Sequence, residues 1–278
     1  MIRQLLLLCT VIIMISSCSA PRVYFPDRVN TPGLKEKGDG NVVVAANLHI
    51  PDQDTTFTGF DWFSPSVDLN YAFSDNFGVI ASYRSVLNRN RPQPFNDSLG
   101  VADFGGVFNG YRFDLGFGFF SKMGSKGLVE IYLGGGAGEM SRRGSVTPVL
   151  DYNTKYYRYF VQPAIGFYVR EKFSVMWGSR FVVQKYTDFT SNDPLAKYYI
   201  TDKYFDIGKS QTPSITSLTY AFAEPFVNLE FGGEVVKFNM QFGLGFRING
   251  GNYNDIMPGG GHMDFGVKIR NPHQLFKK

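Results

Sequence analysis

The sequence predicts an all-β fold: an antiparallel, up-and-down transmembrane β-barrel of about ten strands. Two observations carry this. Segments of membrane-crossing length alternate apolar and polar residues without a break, as strands with one apolar and one polar face must. The connections between them run long, short, long, short along the whole chain, matching the long outer loops and short periplasmic turns of bacterial barrels. Composition agrees, with 16% aromatic residues, 31 Gly in 278 residues and 19% charged residues, against about 25% charged in soluble domains.

Residues 1–17 read as a signal peptide. Arg3 supplies the charged start and Leu5 to Ile15 the apolar core, which is shorter than the ~20 residues a membrane helix needs. The next residues, Ile15-Ser16-Ser17-Cys18, resemble the lipobox of bacterial lipoproteins. That resemblance implies cleavage before Cys18 and a diacylglycerol on its thiol; ordinary cleavage after Ser19-Ala20 is the alternative. Cys9 lies in the apolar core and no cysteine follows Cys18, so the mature chain carries no disulfide, thiol nucleophile or Cys-based metal site. Without Arg3, 27 basic and 24 acidic residues remain, a net +3, too weak to indicate nucleic acid.

Residues 18–40 form a lipidated N-terminal linker, broken by Pro21, Pro26, Pro32 and Gly33 and ending in the charged run Lys35-Glu36-Lys37-Gly38-Asp39-Gly40. The stretch from Tyr24-Phe25-Pro26 through Pro32-Gly33-Leu34-Lys35-Glu36-Lys37-Gly38-Asp39 resembles the segment after the lipobox in small, uncharacterised barrel lipoproteins of the Bacteroidota. Residues 19–40, fully extended, reach about 70 Å. They can join an anchor in the inner leaflet to the barrel, or fold back into its lumen.

The barrel is expected over residues 41–270, with 271–278 a periplasmic tail. Strands are predicted at 41–50, 64–73, 77–86, 105–120, 128–140, 157–170, 173–185, 218–231, 234–248 and 262–270. In the fourth, Tyr111, Phe113, Leu115, Phe117 and Phe119 alternate with Gly110, Arg112, Asp114, Gly116 and Gly118. In the ninth, Val236, Phe238, Met240, Phe242, Leu244, Phe246 and Ile248 alternate with Lys237, Asn239, Gln241, Gly243, Gly245 and Arg247. The last sets Met263, Phe265, Val267 and Ile269 against His262, Asp264, Gly266, Lys268 and Arg270. Strand 1 is the weakest, which keeps an eight-stranded barrel open. Rows of Gly on the polar face argue against a soluble barrel, because Gly weakens a solvent-facing strand. Facing a crowded lumen, it leaves room for Arg84, Arg112, Arg180 and Arg247. Trp62, Tyr159, Phe173, Tyr186 and Tyr220 fall near strand ends and are expected in interfacial girdles.

The inward positions collect a lumen charge network: Asp68, Arg84, Arg112, Asp114, Glu130, Arg180, Glu230, Lys237, Arg247, Asp264 and Lys268, with Arg270 at the end of the last strand. Unpaired buried charge is costly, so a set of salt bridges filling a small barrel is favoured over an ion pathway. His49 and His262 fall at outer ends of strands that meet on closure, with Asp52, Asp54 and Asp255 in nearby loops. No family motif accompanies them, and no catalytic residue, metal or cofactor is expected. The long loop after strand 7 carries Tyr198, Tyr199, Tyr204 and Phe205 among mixed charges; tyrosine gives contact area and a hydrogen-bonding hydroxyl, as interfaces do.

The expectation is therefore a non-enzymatic barrel lipoprotein of the outer membrane, porin-like in form, with both termini periplasmic. It would scaffold extracellular loops for a protein partner or surface ligand, in contact with outer-membrane lipid. The alternatives are a narrow channel for small solutes or ions, and a hydrolase sited at the outer rim. Ser19-Ala20-Pro21 has no acidic cluster of the kind linked to surface export of lipoproteins, which suggests a periplasmic-side anchor.

Overall fold

The computed structural model describes Tyr24 and residues 27–49, 62–89, 106–144, 152–170, 172–191, 218–248 and 261–272. The strands are β1 Gly40–His49, β2 Trp62–Ala72, β3 Phe77–Arg89, β4 Gly106–Met123, β5 Gly127–Gly144, β6 Tyr152–Arg170, β7 Phe173–Ser191, β8 Leu218–Gly232, β9 Val236–Leu244 and β10 Gly261–Arg270. β9 resumes beyond Gly245 as Phe246–Arg247, still paired with β8. Each strand pairs antiparallel with its sequence neighbour. β1 closes on β10, from Asn41↔Arg270 to His49↔His262. The result is a ten-stranded barrel with no free edge, which settles the choice against eight strands. Strand 1 belongs to the wall despite its weak alternation.

Alternation decides which face meets what. Phe113, Leu115, Phe117, Leu133, Tyr159, Trp177, Phe238 and Val267 point outward and are exposed. Arg112, Asp114, Glu130, Gln162, Asn228, Gln241 and Asp264 point inward and are buried. An exterior of large apolar side chains over a polar interior inverts a soluble barrel and suits a bilayer, where closure satisfies every backbone group.

β4 and β5 are 18 residues long, and β6 and β7 are 19, against the ~9–11 needed to cross a bilayer. The surplus extends β5, β6 and β7 into stretches the sequence suggests are loop, as far as Gly144, Tyr152 and Ser191. Toward the loops the outward positions turn polar. The Tyr111 hydroxyl donates to Glu139 at 3.3 Å, Asn153 donates to Glu139 at 3.1 Å, and Lys155 faces Asp188 at 3.8 Å. The apolar belt ends there, and this side of the barrel stands beyond it.

Tyr186 and Tyr220 are not in a girdle. They are 4% and 5% exposed, inside the lumen, because both stand at even positions on strands whose even residues face inward (Val182 and Gln184; Phe222 and Glu224). Tyr159, at 69% exposed, faces outward as expected, and the side chain of Trp62 lies outside the described residues.

Candidate functional site

The lumen is filled by the chain's own N-terminal segment. Tyr24 and residues 27–35 form an arm inside the barrel, with Arg28, Val29, Thr31 and Leu34 almost wholly enclosed, and residues 36–38 are exposed where the arm leaves it. Of the two courses open to the linker, the described part therefore takes the lumen.

Nearest the long loops is an aromatic layer. Tyr24 stacks on Phe222, ring centroids 3.6 Å apart at 13°, and its hydroxyl donates to Glu224. Tyr156, Tyr186 and Tyr220 continue the layer through edge and tilted contacts. Below it lies a charged layer centred on Asp27. One carboxylate oxygen accepts from Arg112 on β4 at 2.7 Å and from Arg180 on β7 at 3.0 Å. Arg112 also donates to Asp114 at 2.9 Å, and Arg180 to Glu224.

The next arm residue reaches the other walls. Arg28 donates to Asp68 on β2 at 3.2 Å and to Asn239 on β9, while Arg84 shares Asp68 at 2.6 Å. The Val29 backbone N–H donates to the Gln241 side-chain carbonyl, and the Gln241 side-chain amide donates to the Val29 carbonyl. Asn30 donates to Asn70 and Ser82, and its carbonyl accepts from Gln162.

A third layer closes the short-turn end. Lys268 donates to Glu230 at 2.7 Å and to the carbonyls of Pro32 and Thr31 at 2.7 and 3.2 Å. Glu130 accepts from the Gly33 amide. Arg270 donates to Asp39 at 2.6 Å. Lys35 sits 4.2 Å over the ring of Tyr168; partial burial, with Arg270 and Lys237 alongside, pulls its ammonium below the ordinary lysine range.

Every charged position named for the lumen is thus buried, apart from Arg270, half-buried at the short-turn end, and Arg247, whose side chain lies outside the described residues. Sequence reasoning missed Arg158, Glu224, Tyr24, Asp27 and Arg28. Arg158 and Glu224 follow from parity on β6 and β8. The arm residues follow no period, because a plug meets many strands rather than one face. Arg158 is fully enclosed, 3.5 Å from Asp114, with no hydrogen bond to its nitrogens among the described residues.

The inward glycines make room mainly for rings and not for the arginines expected. A Cβ on Gly134 would overlap Phe160, one on Gly243 would overlap His262, and one on Gly138 would lie 2.5 Å from Tyr156. At Gly136 it would strike the Asp114 carboxylate, and at Gly78 Leu34 of the arm.

His49 and His262 do face each other in register. The His262 ring is buried in the lumen, 3.3 Å from Asp264, and not at an open rim. The His49 side chain, like Asp52, Asp54 and Asp255, lies outside the described residues, as do Cys18, Tyr198, Tyr199, Tyr204 and Phe205. Among the described residues no group of three or more His, Cys, Asp or Glu side chains is placed to hold a metal.

No family model matches the chain, and no curated protein does. Among solved structures it is similar to the translocator domain of the autotransporter NalP from Neisseria meningitidis. The identity is 10% over 88% of this chain and 89% of that one, with a TM-score of 0.45. It is also similar to an outer-membrane channel from Pseudomonas putida F1, at 12% identity over 87% and 100%, TM-score 0.42. A third is Ail, the attachment invasion locus protein of Yersinia pestis, at 12% identity over 84% and 99%, TM-score 0.31.

Proposed function

We propose that this chain is a non-enzymatic outer-membrane barrel lipoprotein, acylated on Cys18. Its lumen is sealed by its own arm, and the barrel holds its long loops out for a protein partner or surface ligand. It needs no cofactor. The observation that carries the reading is Asp27–Arg28, two successive arm residues bonded to β2, β4, β7 and β9 at once. Cross-bracing of that kind suits a rigid support and leaves little for a solute to pass through. The 18- and 19-residue strands β4 to β7, polar on their outer faces near the loops, support display above the membrane surface.

Two experiments test it. Purified full-length protein in planar bilayers should be electrically silent; a steady conductance whose ion selectivity changes in Arg112→Gln would replace this reading by the narrow channel. For display, a photo-crosslinking residue at Tyr198 or Tyr204 should give a discrete adduct in the native envelope. Absence of any adduct from these positions and from residues 90–105 and 145–151 would remove the scaffold role.

A further inference from the structure

We propose that the N-terminal arm enters the lumen at the long-loop mouth and leaves at the short-turn mouth, so that Cys18 emerges at the outer face and its acyl chains anchor in the outer leaflet. The acyl group rests on the lipoprotein reading above; the direction of the arm does not.

The direction is read from the order of contacts. Lys37 donates to Asp75 and Gly38 to Ala72, at the short turn between β2 and β3. Leu34 packs beside Gly78, at the start of β3. Asn30 bonds Ser82, midway up that strand. Asp27 bonds Arg112, eleven residues from the short-turn end of β4 at Met123. Tyr24 stacks on Phe222, four residues from the long-loop end of β8 at Leu218. Going backward along the chain, each contact lies nearer the long loops. The chain reaches Tyr24 from the loop side.

Length then decides where Cys18 can be. From Phe222 to the short-turn end of β8 at Gly232 is ten residues, about 25 Å along the axis at ordinary strand rise and tilt. The six residues from Cys18 to Tyr24 span about 20 Å even when fully extended. They cannot bring Cys18 back to the short-turn mouth, and a return path would run through a lumen already packed with arm and side chains. In the other direction about 10 Å of β8 remains above Phe222, whereas β7, with Val182 opposite Phe222, runs nine residues on to Ser191, so the low side of the rim is at β8. A lipid on Cys18 therefore meets the outer leaflet, contrary to what the residues after Cys18 suggest by themselves.

The test uses full-length protein in a diderm host. Acylated Cys18 has no free thiol, and Cys9 leaves with the signal peptide, so Pro21→Cys adds the one reactive thiol; it survives either cleavage. Lys37→Cys, exposed at the short-turn end, is the opposite marker. A membrane-impermeant maleimide should label Pro21→Cys on intact cells as fully as after permeabilisation, and Lys37→Cys only after permeabilisation. Pro21→Cys labelled only after permeabilisation, or not at all while Lys37→Cys reacts, overturns the direction. Heat-dependent gel mobility confirms that each variant has folded. The mass of the N-terminal peptide separates the two readings. Surface labelling without an acyl group leaves the direction standing and removes the lipid; an acyl group with labelling only after permeabilisation does the reverse.

Discussion

Asp27 of the arm and Arg112 of β4 form an ion pair at 2.7 Å, 85 residues apart in sequence and shielded from solvent. Through the same oxygen Asp27 holds Arg180 on β7, so one arm carboxylate ties two walls of the barrel together. Removing it leaves two guanidiniums buried without that partner. Breaking a buried pair costs about 3–5 kcal/mol, with the second arginine adding to the loss. Asp27→Ala should accordingly lower the temperature at which the folded gel band converts to the unfolded one, and expose the arm to protease. A midpoint equal to wild type would mean that the arm does not brace the wall.

The glycines give a paired prediction on a single strand. Gly134 faces inward and a Cβ there would run into Phe160; Gly135 faces outward and its Cβ would meet only the Arg158 carbonyl at 3.2 Å and the edge of Tyr159 at 3.4 Å. Overpacking a filled interior costs about 1–3 kcal/mol. Gly134→Ala should lower the urea midpoint of the refolded barrel, and Gly135→Ala should leave it nearly unchanged. Equal effects would mean that these positions matter for strand flexibility and not for lumen space.

Alternation on β4 and β9 makes the wall legible in the sequence, down to which face carries Arg112 or Gln241. It failed where both faces are alike. Near the loops β5 is polar outside at Glu139, β6 at Asn153 and Lys155, and β7 at Lys185, so their ends could not be told from loop. Tyr186 and Tyr220 are aromatic on the inner face at a level where girdle residues are expected outside. Entry of the arm into the lumen was one of two courses open to the linker, but its partners could not be read, because they are set by the closed barrel and residues 27–34 repeat nothing that a sequence can display. The space His262 fills was hidden differently, because it is left by Gly243 on the neighbouring strand.

The exterior can be probed by depth. Leu115 lies in the middle of the outward apolar row of β4, and Tyr111 at its loop-side edge, hydrogen-bonded to Glu139. An arginine facing lipid costs about 2–4 kcal/mol at the midplane and about 0–1 near an interface. Leu115→Arg should therefore fold into lipid vesicles with a clearly lower stability than Tyr111→Arg, read by urea titration of tryptophan emission. If the two substitutions cost the same, the apolar row is not the lipid-facing belt.

The short-turn layer permits a double-mutant test of whether Lys268 acts chiefly on Glu230 or on the arm. Its ammonium donates to the Glu230 carboxylate and to two arm carbonyls, Thr31 and Pro32. Lys268→Met leaves Glu230 facing Ser174 and Asn228, at 3.3 and 3.5 Å, both weak donors for a buried carboxylate. Removing one partner of such a pair is strongly destabilising, whereas removing both charges is far less so. Lys268→Met alone should lower the unfolding midpoint sharply, and adding Glu230→Gln should recover much of the loss. What the double variant fails to recover measures the two arm carbonyls, because glutamine cannot replace Lys268 there. Full recovery would mean that those carbonyls contribute nothing at this end; no recovery would mean that Lys268 serves the arm and that its pairing with Glu230 is incidental.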